Sequence, residues 1–222
     1  MTVEKPESMI FDLDGTLFKT ETLLLPAFHV SLTQMIQETG YEGPVPEDRE
    51  VLGTLGMLMD EIWKRLLPGC TPEQIDRMNE LLAYHELSGL ESGRGVLYEG
   101  VAETLTRLQD AGVRLFVASN GLESYVKGVL NMRGISSFFE KIYSAGEYRT
   151  KSKVDLVRLL LEENHVQDAF MVGDRSSDVE AGHKNGLTVI GCDFAGFGDP
   201  KELEDADIRI KDFRELARLI RI

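Results

Sequence analysis

Apolar residues fall along this chain in two textures. Beyond Ser92, short apolar runs alternate with stretches of helical spacing. The runs at 113–118, 141–143, 169–172, 187–190 and 208–210 read as buried strands, with helices predicted over 99–111, 122–133, 152–164 and 177–185 and at the carboxyl end. Strands that alternate with helices imply a parallel sheet covered on both faces. The run around Met9-Ile10-Phe11, predicted as a strand over 8–13, has the same buried character and is assigned to that sheet. Between about 20 and 90 the texture is helical only. Phe28, Leu32, Met35 and Ile36 form a stripe on a helix that Pro26 is expected to open and Gly40 to end. Leu55, Leu58, Met59, Ile62, Trp63, Leu66 and Leu67 predict a second helix, stopped at Pro68-Gly69. Thr71 caps a third before Pro72, with Ile75, Met78, Leu81, Leu82 and Tyr84 on one side. The expected fold is an open, mostly parallel α/β sheet (residues 1–18 and 92–222) interrupted by a helical insertion over 19–91.

Composition narrows what such a fold does. The 222 residues are 42% hydrophobic and 28% charged, ordinary for a soluble globular protein. A net charge of -14 opposes nucleic acid as partner, since phosphate backbones are held by clustered Lys and Arg. The same charge repels anionic substrates at long range, so any phosphate site must be positive locally. Cys70 and Cys192 stand far apart, outside any paired-ligand spacing, which indicates neither disulfide nor zinc. No stretch nears the ~18 apolar residues of a membrane span, and residues 1–7 carry no leader-like apolar run. The expectation is a cytoplasmic protein without membrane or nucleic-acid partners, a monomer or homodimer.

Ligands of open parallel sheets bind beyond the carboxyl ends of the strands, and this chain places polar residues there repeatedly. Asp12 and Asp14 follow the first run; residues two apart in a strand share a side, so both carboxylates are expected to face one point. Such convergence is costly without a cation or a proton. Ser119-Asn120-Gly121 follows the strand 113–118, and Gly173-Asp174-Arg175-Ser176-Ser177-Asp178 follows 169–172. Lys151 and Lys153 stand at a helix start between them. Taken singly, each is an ordinary turn, cap or solvent-facing charge; the ordered set is not. His29, His85, His165 and His183 show no metal-ligand spacing, and Lys64 and Arg65 read as a solvated face.

DLDGT at 12–16, SNG at 119–121, a lysine at 151 or 153 and GDRSSD at 173–178 resemble the motifs of the haloacid dehalogenase superfamily. With the helical insertion after the first strand, the resemblance spans essentially the whole chain. Its last third, with AGHKNGLTVIG, is similar to the phosphoglycolate phosphatase and β-phosphoglucomutase branch. The resemblance implies a Rossmann-like core with a helical cap that closes over the site, and a magnesium-dependent phosphatase acting on a small phosphorylated metabolite. Asp12 is implied as the nucleophile that forms an aspartyl-phosphate, and Asp14 as acid and base. Asp12, the Asp14 carbonyl, Asp174 and Asp178 are implied as ligands of Mg²⁺. Gly15, Thr16, Ser119, Asn120 and a lysine would hold the phosphate; four carboxylates and a dianion against one Mg²⁺ leave a negative site that a lysine must join. Relatives carry Lys-Pro-x-Pro-Asp, which aligns with Lys151-Ser152-Lys153-Val154-Asp155 without either proline and favours Lys151 over Lys153. Arg175 could meet substrate or pair with neighbouring carboxylates, and Gly53-Thr54-Leu55-Gly56 occupies a position that relatives use for substrate selection. A phosphomutase is the nearest alternative, although mutases of this branch tend to carry Val where Thr16 stands. A phospho-accepting signalling module is a second alternative, but there the acceptor ends a later strand.

Overall fold

The computed structural model describes residues 3–57 and 59–222. It begins with β1 (Ser8–Phe11), a turn, and β2 (Phe18–Lys19). Four helices follow: α1 (Glu21–Thr39), α2 (Asp48–Leu52), α3 (Met59–Leu66) and α4 (Pro72–Glu91). After β3 (Val96–Leu97) come α5 (Val101–Asp110), β4 (Arg114–Ser119), α6 (Glu123–Met132), β5 (Lys141–Ser144) and α7 (Ala145–Tyr148). The chain continues through α8 (Lys153–Glu163), β6 (Ala169–Gly173), α9 (Ser176–Lys184), β7 (Thr188–Cys192), β8 (Ile208–Ile210) and α10 (Glu215–Leu219).

Six strands pair in the order β5-β4-β1-β6-β7-β8, and every pairing is parallel. Parallel strands buried on both faces need unbroken apolar sequence, which is what β1, β4 and β6 supply. Alternation then sorts the side chains. Ile10, Phe116, Ala118, Met171 and Val189 join Leu156, Val157 and Leu160 of α8 and Val179 and Ala181 of α9 in one cluster. On β1, Phe11 packs instead against Phe139 and Phe213, with ring centroids 6.2 and 5.9 Å away. The sheet is thus covered twice, as the alternation of strands and helices required. Among the described residues, no helix is long and apolar enough to cross a membrane.

Two compact units partition the chain: residues up to Lys19 with Leu97–Ile222, and Thr20–Val96. The second boundary falls later than the expected 91/92 because residues after α4 stay tied to the helices. Arg94 N–H donates to the Gly89 carbonyl at 2.8 Å, and Val96 N–H to the Thr22 hydroxyl at 3.2 Å. Within the helical unit, Phe28, Leu32 and Met35 of α1 share a core with Trp63, Leu66 and Leu67 and with Met78, Leu81 and Leu82 of α4. The Trp63 indole N–H, too polar to bury alone, donates to Asn79 at 2.7 Å.

Three element boundaries depart from expectation. Pro26 lies inside α1 rather than opening it. The helix starts at Glu21 because Leu23, Ala27 and Phe28 bury on one side, and their packing outweighs the one backbone bond that proline forgoes. The predicted second helix corresponds to α3, which starts at Met59 because Leu55 lies in a turn where Gly56 takes φ 85°, and the short helix α2 before that turn was not expected; Leu58 lies outside the described residues. β1 ends at Phe11 rather than at 13, so Asp12 and Asp14 belong to a turn.

Candidate active site

β1 is the switch point of the sheet: the chain adds β4 and β5 on one side and then β6, β7 and β8 on the other. Loops leaving β1, β4 and β6 therefore diverge around one crevice. Register aligns them, since Phe11 pairs with both Val117 and Val172. Beyond Phe11 the chain turns tightly, with the Leu13 carbonyl accepting from the N–H groups of Thr16, Leu17 and Phe18 at 3.3, 2.9 and 3.0 Å. Gly15 makes that turn possible at φ 77°, and it does more. A Cβ there would stand 2.2 Å from Asp174 Oδ2, so only glycine lets the loop approach that carboxylate.

Asp12, Asp174 and Asp178 converge: one oxygen from each lies within 4.8 Å of the others, and all three residues are buried. Asp12 keeps its N–H in the ladder, donating to the Val172 carbonyl at 2.9 Å. Asp178 caps its own helix through the Arg175 N–H, 3.0 Å from Oδ2. The cation of the cluster is Lys153, only 3% exposed, whose Nζ lies 2.6 Å from Asp12 and in contact with Asp178. Lys151, favoured by motif alignment, is exposed. The physical reason is the start of α8. The Ser152 hydroxyl accepts from Asp155 N–H at 3.1 Å and donates to the Asp155 carboxylate at 2.7 Å, fixing Lys153 as the first helical residue. Side chains lean toward a helix N-terminus, and the N-terminus of α8 holds Lys153 against the sheet edge. The Ser-x-x-Asp capping pattern at 152–155 was the sequence signal that could have decided between the lysines.

Three buried carboxylates against one ammonium leave net negative charge in low dielectric. Burial, with Asp178 and Asp14 adding to it and Lys153 opposing, pushes Asp12 up to about 7. Burial, then Asp12 and Asp178, hold Asp174 well above the usual carboxylate range. Lys153 is favoured the other way: burial works against its charge, but Asp12 and Asp178 outweigh it and raise its pKa. Asp174 Oδ2 is buried without a hydrogen-bond partner. An all-carboxylate donor set, excess negative charge and an orphaned oxygen fit a hard divalent cation.

The remaining predicted residues divide. Ser119 is buried at the end of β4, and its Oγ accepts from Gly121 N–H at 3.1 Å, which leaves its O–H to donate elsewhere. Asn120 follows, half-buried. Thr16 braces a carboxylate, its hydroxyl donating to Asp174 Oδ1 at 3.3 Å. Asp14 is half-buried and lies outside the three-aspartate cluster, although its charge raises Asp12. Its Oδ1 accepts from the Tyr125 hydroxyl at 2.6 Å, a partner that sequence reasoning missed. Arg175 pairs with Glu202 at 3.0 Å. In the helical unit, Thr54 of the Gly53–Gly56 turn is buried, with its hydroxyl donating to the Val51 carbonyl at 2.7 Å. His29 lies 2.6 Å from Asp48 and His183 3.3 Å from Asp207, and neither is a member of the aspartate cluster.

A family model for haloacid dehalogenase-like hydrolases matches residues 9–192. The chain is 30% identical over 191 residues to the tyrosine-protein kinase PtkA of Mycobacterium tuberculosis, covering 84% of this chain and 62% of that protein. It thus spans less than two thirds of that relative. It is 25% identical to a phosphoglycolate phosphatase of Vibrio parahaemolyticus, over 100% of this chain and 99% of the relative. Among solved structures, a predicted phosphoglycolate phosphatase from Haemophilus somnus superposes with a TM-score of 0.83 at 20% identity, covering 97% of this chain and 98% of the other. CbbY from Rhodobacter sphaeroides, solved with phosphate, gives 0.77 at 24% identity over 95% and 96% of the two chains.

Proposed function

We propose, from the premise that this chain belongs to the haloacid dehalogenase-like hydrolases, that it is a magnesium-dependent phosphatase of small phosphorylated metabolites. The observation that carries this is the buried meeting of Asp12, Asp174 and Asp178 with Lys153. Because relatives are named as a phosphoglycolate phosphatase and as the pyrophosphatase PpaX, phosphate esters and anhydrides are the substrates to try first.

Phosphate monoesters hydrolyse so slowly that catalysis must supply accelerations of up to ~10²¹. A carboxylate attacks without a base to activate it, and Asp12 takes that role, forming an aspartyl-phosphate. Lys153 holds the Asp12 carboxyl in place and favours its ionised form against the effect of burial. Asp174, Asp178, Asp12 and the Asp14 carbonyl would hold magnesium, which supplies charge neutralisation for the phosphoryl oxygens. Ser119, with its hydroxyl proton directed away from Gly121, donates to a phosphoryl oxygen, and Asn120 adds a second donor. Asp14, less buried than Asp12, protonates the departing oxygen. It then accepts the proton of the water that opens the intermediate.

Release of p-nitrophenol from p-nitrophenyl phosphate by the pure protein with magnesium tests this. Turnover that disappears in Asp12→Asn and on chelation is expected. A magnesium-replete wild type that cleaves no phosphate ester or anhydride refutes it.

A further inference from the structure

We propose that Tyr125 is the positioning residue for Asp14, holding the carboxyl group through which the proton passes; this rests on the phosphatase reading above. The Tyr125 hydroxyl donates to Asp14 Oδ1 at 2.6 Å, in the short range of an O–H bond to a charged acceptor. The two residues are 111 apart in sequence, so the bond ties the turn after β1 to the start of α6. Tyr125 sits in the first turn of α6, directly after Ser119-Asn120-Gly121. One connection therefore places both the hydroxyl that faces phosphate and the phenol that faces Asp14. Gly121 makes room for the ring: a Cβ there would lie 3.3 Å from Tyr125 Cδ1.

The need for such a residue follows from the contrast between the two aspartates. Asp12 is locked by burial and by Lys153. Asp14 is half-exposed, so burial does not hold its carboxyl as it holds that of Asp12. Proton transfer demands that its oxygen lie within hydrogen-bond reach of the leaving atom. With Oδ1 held by the phenol, rotation of the carboxyl is restrained. The phosphorus–oxygen bond breaks with its electron pair on the departing oxygen, which receives the Asp14 proton as the phosphoryl group bonds to Asp12. Attack of water on that phosphoryl group then frees Asp12 and returns a proton to Asp14. Tyr125 itself exchanges nothing.

The test compares kcat/KM of wild type and Tyr125→Phe for ethyl phosphate and p-nitrophenyl phosphate. This ratio reports the steps through departure of the leaving group. An alkoxide needs the Asp14 proton, whereas p-nitrophenolate leaves nearly unaided. The preference for the aryl over the alkyl ester is expected to rise about tenfold to a hundredfold in the variant, the worth of one hydrogen bond to a charged group. An unchanged preference overturns the proposal, whether or not the overall rate falls. Crystal structures of wild type and variant grown with magnesium provide an arm independent of activity. The Asp14 carboxyl should rotate or spread over conformers in the variant, and an unmoved carboxyl overturns the proposal. A wild type that cleaves neither ester refutes the phosphatase reading instead, and the crystallographic arm still decides the positioning.

Discussion

At the scale of single residues, the site is a problem in buried charge. Lys153 stands at the first position of a helix, where a cation meets the positive end of the dipole. Only facing carboxylates make that tolerable, so Lys153 and its aspartates stand or fall together. Lys153→Met should lower stability by roughly 3 kcal/mol in urea titrations, because it strands two buried carboxylates. It should also reduce phosphatase kcat about a hundredfold or more. Lys151→Met, on an exposed side chain, should change neither. The aspartates make a second prediction, about pH. Asp12 is raised to about 7 and Asp174 well above its ordinary value, so the metal-free fold binds protons that the unfolded chain releases. A raised carboxyl contributes stability fully below the unfolded value, near pH 4, and loses it as pH climbs through the folded value. Thermal melts in EDTA should therefore show a higher Tm at pH 5 than at pH 8. Magnesium should raise Tm more at pH 8, where the carboxylates are ionised and able to hold it. An EDTA melting curve independent of pH between these values would remove burial as the dominant influence on the cluster.

Elements set where these residues point. The cap Ser152 decides the frame of α8 and so the lysine that reaches the carboxylates. Ser152→Ala should cost about 1 kcal/mol of unfolding free energy in denaturant titrations and reduce kcat with little effect on substrate KM, as the first turn frays. Gly173 is a second such point: a Cβ there would lie 2.2 Å from Asp178 Cγ. Gly173→Ala should displace Asp178 and weaken magnesium binding, measured by calorimetry, while leaving β6 paired. This scale also marks how far the sequence could be read. Apolar runs located all six strands of the main sheet: the inner strands because burial on both faces demands apolar sequence, and the edge strands β5 and β8 from the few apolar residues that stand beside Lys141 or Arg209. The aspartates at 12, 174 and 178 were legible for a related reason: each ends or closely follows such a run. Lys153 was obscured because alignment to missing prolines competed with the capping pattern. Tyr125 was invisible because the contact spans 111 positions and an isolated tyrosine on a helix carries no motif. Pro26 misled because side-chain packing overrides a local helix signal.

For the whole molecule, topology and net charge pull against each other. Strand order β5-β4-β1-β6-β7-β8 puts the first strand at the switch point, so Asp12, the proposed acceptor, is central here, whereas the acceptor of a signalling receiver ends a later strand. The same arrangement gathers acidic loops at one edge of a chain carrying a net -14. On the proposed function, a phosphorylated substrate approaching through that field would be repelled at a distance and attracted only close to Lys153, Ser119 and the cation that the aspartates would hold. Repulsion of this kind is screened within about 10 Å at 0.1 M salt, whereas buried contacts are screened far less. Raising KCl from ~10 to ~150 mM at saturating magnesium should therefore increase kcat/KM for an anionic ester by about two- to fivefold. Over that range kcat should stay level, since the proposed chemistry takes place inside the buried cluster. A fall in kcat/KM with salt would mean that local positive charge dominates the approach, and that the acidity of the surface lies away from the route the substrate takes.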